Sequence, residues 1–367
     1  MNNRILLIAG TRPNFIKLAP LYHTLTKKKY DIKICHTGQH YDKNMSGSFW
    51  ETLRLPNPDF SLNVRGSNVP EIIGKTTVAI GNLLNNHRFD FVIVFGDVNA
   101  TAAGSIAAVQ THIPVMHVEA GLRSYDRLMP EEINRMITDH ITDYLMVSEK
   151  SGIENLKKEG ICDDKVFFVG NIMIESLLMT KEKWGNIEHN DVISNFIRDK
   201  YAIATFHRPE NVDTVEDLNK IIAILREVSK RIRIVLPLHP RTYKNLQKFN
   251  LLEEINSENI LITQPLDYFR FINLVSNSKV VLTDSGGIQE ETSYLNIPCV
   301  TFRKNTERPI TIELGTNILM SVDEKNTLDK VLKHVLDINE KKYEVIPLWD
   351  NQVSERIEKV IFEKIST

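Results

Sequence analysis

The chain has 367 residues, 42% of them hydrophobic and 25% charged, with 16 Gly, 14 Pro and a formal net charge of −2. This is ordinary globular material with enough length for two domains. A near-neutral balance without a basic block excludes a nucleic-acid footprint, and apolar runs that are all short and strand-like, such as YLMV and KVVL, exclude a membrane-spanning helix. The apolar part of MNNRILLIAG is too short for a secretory signal. Cys35, Cys162 and Cys299 are far apart and lack CxxC spacing, which points to a reducing compartment and no structural zinc.

In chain order, RILLIAG (4–10) predicts a strand and NFIKLAPLYHTL a helix. DIKICHTG (31–38), FDFVIVFGD (89–97) and IPVMHVEA (113–120) are further strands. PEEINRMITDHI (130–141) is helical, with Pro in the first turn and acids near the positive helix end. YLMVSE (144–149) and KVFFVGN (165–171) continue the series, and a weaker stretch follows at about 183–199. The pattern then restarts with YAIATFH (201–207), IRIVLPLH (232–239), NILITQP (259–265), KVVLTDSG (279–286) and IPCVTFR (297–303). TVEDLNKIIAILREVSK, DYFRFINLVSN, GIQEETSYL and the terminal VSERIEKVIFEKI read as helices. Continuous apolar strands alternating with amphipathic helices predict parallel sheets covered on both faces. The expected fold is two doubly wound, Rossmann-like α/β domains: residues 1–170, then 171–350, with a final helix in 351–367.

Polar and Gly-rich clusters fall at the carboxyl ends of these strands, where open α/β sheets bind ligands. If the two edges face each other, the ligand lies in a cleft between the domains. In DSGGIQEE (284–291), Ser285, Gly286 and Gly287 precede or open a helix, whose free N–H groups suit a phosphate, and Glu291 is placed to accept ribose hydroxyls. A tight turn without ligand explains the same residues. Arg12, Lys17 and Arg308 sit at carboxyl-edge loops and together favour a diphosphate, although each alone reads as a surface charge. His207 and His239 each end a strand of the second domain, where imidazole serves a departing phosphate or simply bonds the backbone. Nothing resembles a metal motif, so no metal or cofactor is expected. Asp97, Glu119 and Glu131 all belong to the first domain. Helix capping accounts for Asp97 and the helix dipole for Glu131, but neither accounts for Glu119. Several carboxylates in one site would instead be set for acid/base work.

The stretches GTRPNFIKLAPL, TGQH, GDVNAT, HVEAGLRS, MPEEINR, TFHRPEN, HPR, PLDYFRF, DSGGIQEE and TERP, in this order, resemble the non-hydrolysing UDP-N-acetylglucosamine 2-epimerases. The resemblance implies a GT-B-type architecture, with two Rossmann-like domains facing across a cleft and the final helix packing back on the first. It implies a cytoplasmic homodimer that binds a UDP-sugar, inverts C2 by eliminating and re-adding UDP, and serves surface-polysaccharide synthesis. Asp97, Glu119 and Glu131 match the acid/base positions, and His207 matches the group at the departing phosphate. Arg12, Lys17, His239, Phe271, Ser285, Gly286, Gly287, Glu291 and Arg308 match the nucleotide-contacting positions. Phe271 would lie against uracil, a place otherwise read as core.

Departures from the family pattern are Asn14-Phe15 after GTRP, Pro209 after HR, YDKNM after TGQH, and Ile310 after TERP. By the resemblance, several polar positions that serve activation by a second substrate molecule are among those altered, so absent or weakened activation is expected, with the test near Gln39 and Asp42. Similar variants occur in relatives acting on 2,3-diacetamido uronic acids. Alternatives are therefore an epimerase of a modified UDP-sugar, a GT-B UDP-sugar glycosyltransferase, or a non-catalytic sugar-nucleotide-binding module.

Overall fold

The computed structural model describes residues 3–38, 50, 52–324, 326–336 and 344–365. The chain divides into two compact units, Met1–Thr180 with Pro347–Thr367, and Lys181–Ile346.

The first unit is built on strands β1 (Arg4–Ala9), β2 (Asp31–His36), β3 (Phe60–Ser61), β4 (Phe91–Phe95), β5 (Val115–Ala120), β6 (Tyr144–Val147) and β7 (Val166–Phe168). They form one sheet in the order β3-β2-β1-β4-β5-β6-β7, and every pairing is parallel. The central strand β4 is apolar throughout because both of its faces are covered. Leu6, Ile8, Val92, Val94 and Val115 pack on Ile80, Leu83 and Leu84 of the helix Val69–Asn86. Asn68 caps that helix by accepting from Glu71 N. The helix Val353–Ile365 belongs to this unit and packs on the helices Arg12–Lys27 and Ile172–Met179. Its start is held by Glu175, which accepts from Ser354 N at 2.6 Å and from Ser354 Oγ.

The second unit contains β8 (Tyr201–Thr205), β9 (Arg233–Pro237), β10 (Ile260–Thr263), β11 (Val280–Thr283), β12 (Cys299–Phe302) and β13 (Asn317–Met320). Their order is β10-β9-β8-β11-β12-β13, again all parallel. Ala202, Ala204, Leu236, Leu282 and Val300 meet Ile221, Leu225 and Val228 of the helix Val215–Ser229. The strand reading omitted β3 and β13, so IPCVTFR is not the last strand of its sheet. Both omitted strands are short edges: β3 has only two residues, half-buried and exposed, and β13 has four, of which three are apolar.

Each unit is thus a doubly wound parallel sheet. Each reverses its winding once: between β1 and β4 in the first, and between β8 and β11 in the second. A crevice at the carboxyl ends of those strand pairs is the expected ligand position of such a sheet.

Candidate functional site

At the first reversal, Asn14 bridges the two strand ends. Its Nδ2 donates to Phe95 O at 2.9 Å, and its Oδ1 accepts from Gly10 N and Thr11 N at 3.2 and 3.1 Å. The departure from the family pattern at this position therefore has a local structural role. Three residues on, Lys17 reaches the buried Glu119, and its ammonium pairs with Glu119 Oε2. Glu119 interrupts the register of β5 against β6 and has φ of +77°. A non-glycine residue held there carries backbone strain, a frequent mark of a functional position. Lys17 also lies close to the β4 turn: a Cβ on Gly96, whose φ is +62°, would come within 2.8 Å of Lys17 Nζ. The positive φ favours glycine there, and a side chain would displace the Lys17 ammonium.

Asp97 follows that turn and pairs with Arg135, whose Nη1 also donates to the buried Glu132 at 2.8 Å. Asn134 donates to Asp97 O at 2.9 Å. Capping does not explain Asp97, because the cap of the helix Asn99–Gln110 is Val98 and no side chain bonds it. Glu131 is half-buried in the first turn of the helix Pro130–Ile141, and no side-chain partner for it is found among the described residues.

Beneath these groups lies a fully buried histidine. His117 Nδ1 meets Asp139 Oδ1 and its Nε2 meets Gly96 O, both at 2.7 Å. Asp139 Oδ2 also accepts from Gly121 N at 3.1 Å and Arg123 Nη1 at 2.7 Å. Burial pushes the Asp139 carboxyl up, but His117 and Arg123 outweigh it and hold the group below the ordinary carboxylate range. One buried network therefore braces the turn before Asp97 and the bulge that carries Glu119.

At the second reversal, Asp284 bridges the strand ends. It is fully buried and accepts from His207 N, Arg208 N and Asn211 Nδ2, while His207 Nδ1 lies 2.9 Å from its Oδ1. Burial opposes this carboxylate, but the histidine and the N–H donors keep it below the ordinary range. His239 stands beside His207, ring centroids 5.2 Å apart, and its Nδ1 accepts from Arg241 N at 3.2 Å. Burial, then the neighbouring His207, lowers the tendency of His239 to charge.

The helix Gly286–Leu295 begins two residues after Asp284, with Ser285 at its cap position. A Cβ on Gly286 would come within 2.6 Å of Glu307 Oε1, so packing requires that glycine. A Cβ on Gly287 would meet nothing within 4 Å. Arg308 is not a surface charge. It is buried, with Nε 2.9 Å from Glu290 and Nη1 2.6 Å from Glu307, which also holds Arg303. Glu291 is buried and accepts from Tyr268 Oη at 2.6 Å. Burial raises its carboxyl to about 7, helped by Glu290 and opposed by Tyr268. Phe271 is half-buried on the helix Tyr268–Asn277 and stands outside the described apolar cluster of this unit, against its reading as core.

The structure thus gathers Lys17, Asp97 and Glu119 at the first reversal, and His207, His239, Ser285, Gly286 and Gly287 at the second. The Arg12 side chain, Gln39 and Asp42 lie outside the described residues. Sequence reasoning missed Glu132, Arg135, His117, Asp139 and Asp284. The i,i+3 spacing of Glu132 and Arg135 was a usable signal; the other pairings need the strand order. No group of three or more side chains suited to a metal occurs among the described residues. No described helix is long and apolar enough to cross a membrane.

Comparison with known proteins shows the family of the chain. The sequence profile of the family described as UDP-N-acetylglucosamine 2-epimerase matches residues 23–362. A UDP-N-acetylglucosamine 2-epimerase of Methanocaldococcus jannaschii is 42% identical over 98% of both chains. A crystal structure of the M. jannaschii UDP-GlcNAc 2-epimerase in complex with UDP-GlcNAc and UDP superposes with a TM-score of 0.87, at 40% identity, over 98% of this chain and 99% of that one. A UDP-2,3-diacetamido-2,3-dideoxy-D-glucuronate 2-epimerase of Pseudomonas aeruginosa is 37% identical over 86% of this chain and 88% of its own. With two doubly wound sheets and matches of this extent, the chain belongs to the UDP-N-acetylglucosamine 2-epimerase family of isomerases.

Proposed function

We propose that this protein interconverts UDP-N-acetylglucosamine and UDP-N-acetylmannosamine without net hydrolysis. A carboxylate of the first unit takes the C2 proton. The C–H electron pair forms the C1–C2 double bond, and the C1–O bond breaks with its pair going to the β-phosphate oxygen of UDP. A second acid then returns a proton to C2 from the other face, and the same oxygen re-adds at C1. Asp97, Glu119 and Glu131 are the groups proposed for these transfers. His207 meets the developing charge on the diphosphate, with Arg12, Lys17, His239 and Arg308 as further cationic or hydrogen-bonding groups. Ser285, Gly286 and Gly287 take phosphate oxygens, Glu291 the ribose, and Phe271 the uracil.

The observation that carries this reading is the pair of carboxylates at the tips of adjacent strands, Asp97 on Arg135 and Glu119 on Lys17. Binding a nucleotide does not require them, whereas proton transfer at a sugar carbon does. Gly287 adds support. Neither packing nor a left-handed backbone requires a glycine there, but the close approach of a phosphate would. A cytoplasmic homodimer supplying surface-polysaccharide precursors completes the proposal, on the family resemblance alone.

The test is NMR of the C2 proton in D2O with UDP-GlcNAc as sole substrate. Deuterium is expected to enter C2 as UDP-ManNAc forms, and both signals are expected to vanish in Asp97→Asn, Glu119→Gln and Glu131→Gln. The P. aeruginosa relative gives a second reading, with a 2,3-diacetamido uronic acid as the sugar; the larger kcat/KM in paired assays decides between them. Turnover only with an added acceptor would mark a glycosyltransferase, and binding without turnover of either sugar nucleotide a sensing module.

A further inference from the structure

We infer that Asp284 is a positioning residue for His207, fixing the ring with Nδ1–H toward its own carboxylate and Nε2 toward the diphosphate. This rests on the proposed elimination of UDP. The two oxygens of Asp284 do different work. Oδ2 accepts from Arg208 N at 2.9 Å, His207 N at 3.0 Å and Asn211 Nδ2 at 3.1 Å, which locks the carboxylate across the β8–β11 crevice. Oδ1 faces His207 Nδ1 at 2.9 Å and shares the His207 backbone N–H at 3.1 Å. Asn211 is itself buried and donates to Phe302 O at 2.9 Å, so the support extends to β12.

The histidine side chain is 34% exposed while Asp284 is fully buried. Among the described residues no hydrogen-bond partner is found for Nε2. An aspartate at Nδ1 sets the orientation and tautomer of the ring, and a ring protonated on both nitrogens donates from Nε2 to an anion. The C1–O bond of the sugar nucleotide breaks with both electrons going to the diphosphate. A cationic donor at that oxygen favours the transition state over the bound substrate, because the charge is only then developing.

Asp284→Asn separates this role from a structural one. With its amide oxygen in the Oδ2 position, the variant keeps the acceptor for all three N–H donors. Its NH2 then faces His207 Nδ1, which must accept and so lose its proton. The expected result is a 10²- to 10⁴-fold fall in kcat with KM for UDP-GlcNAc within about threefold of wild type. Imidazole ¹⁵N NMR, with His207 assigned by its loss in His207→Gln, should report Nδ1 protonated in the wild type and bare in Asp284→Asn. In the His207→Gln background, Asp284→Asn should add less than threefold to the loss.

An unchanged Nδ1 signal, or a further tenfold loss in the His207→Gln background, would overturn the assignment and leave Asp284 as scaffold. So would a kcat within threefold of wild type. If the wild type makes no UDP-ManNAc, the functional reading fails on its own, and the ¹⁵N result still decides for or against the pairing.

Discussion

The two units share one strand order at their reversals and differ in the sign of what is held there. In the first, the carboxylates proposed for proton transfer are gripped by cations: Glu119 by Lys17 and Asp97 by Arg135. In the second, the groups proposed to meet a phosphate are cationic or neutral donors gripped by carboxylates: His207 by Asp284, and Arg308 by Glu290 and Glu307. Even the bridging side chain changes, from the neutral Asn14 to the charged Asp284. A doubly wound sheet supplies the place, and the residue after each strand tip supplies the chemistry. One copy is thereby suited to moving protons and the other to holding an anion.

The largest expected break in this comparison is Lys17→Met. It leaves Glu119 buried without that cation, at a cost of roughly 3–5 kcal/mol by chemical denaturation. Adding Glu119→Gln should recover most of that stability and none of the activity. If the first unit tolerates Lys17→Met as a surface change, its ion pair is not the organising feature argued here.

Glu291 sharpens the contrast through pH. Its folded value, about 7, lies above the ordinary 4.5. The native state therefore keeps a proton that the unfolded chain has already lost, and stability present below pH 4.5 is lost as pH rises through 7. Glu291→Gln removes this dependence. Wild type should lose roughly 3 kcal/mol relative to the variant between pH 4.5 and pH 8. Denaturant midpoints at the two pH values measure it.

Gly287→Ala is expected to leave thermal stability unchanged or slightly raised, since alanine is the better helix former. It should weaken UDP binding about tenfold, read by calorimetry, because the added methyl meets the ligand and not the protein. The smallest effect expected is on stability in His207→Gln, about 1 kcal/mol or less, because the ring is partly solvated and Asp284 retains its N–H donors.

Much of this was legible in the amino-acid order. The strands that became β1, β4, β5, β8, β11 and β12 are buried on both faces and show as apolar runs, and the helix Pro130–Ile141 was announced by its proline and acids. Asp97 and Glu119 were visible as charges ending such runs. Their partners were not. Lys17 meets Glu119, and Asp284 meets His207, only because β1 lies beside β4 and β8 beside β11. That adjacency skips intervening strands, and periodicity carries no record of it. Arg308 read as a surface charge for a related reason: one of its two carboxylate partners, Glu290, arrives from the separate helix Gly286–Leu295, and the other is its sequence neighbour Glu307.

The first unit is discontinuous, leaving off at Thr180 and resuming at Pro347, while the second is one unbroken stretch. During synthesis the second can therefore finish its sheet while the first still lacks its last helix. Until Ser354 emerges, Glu175 has no cap to make, and the faces of the helices Arg12–Lys27 and Ile172–Met179 that the last helix covers stay open. The segment holding the acids is thus made before the second unit and closed after it.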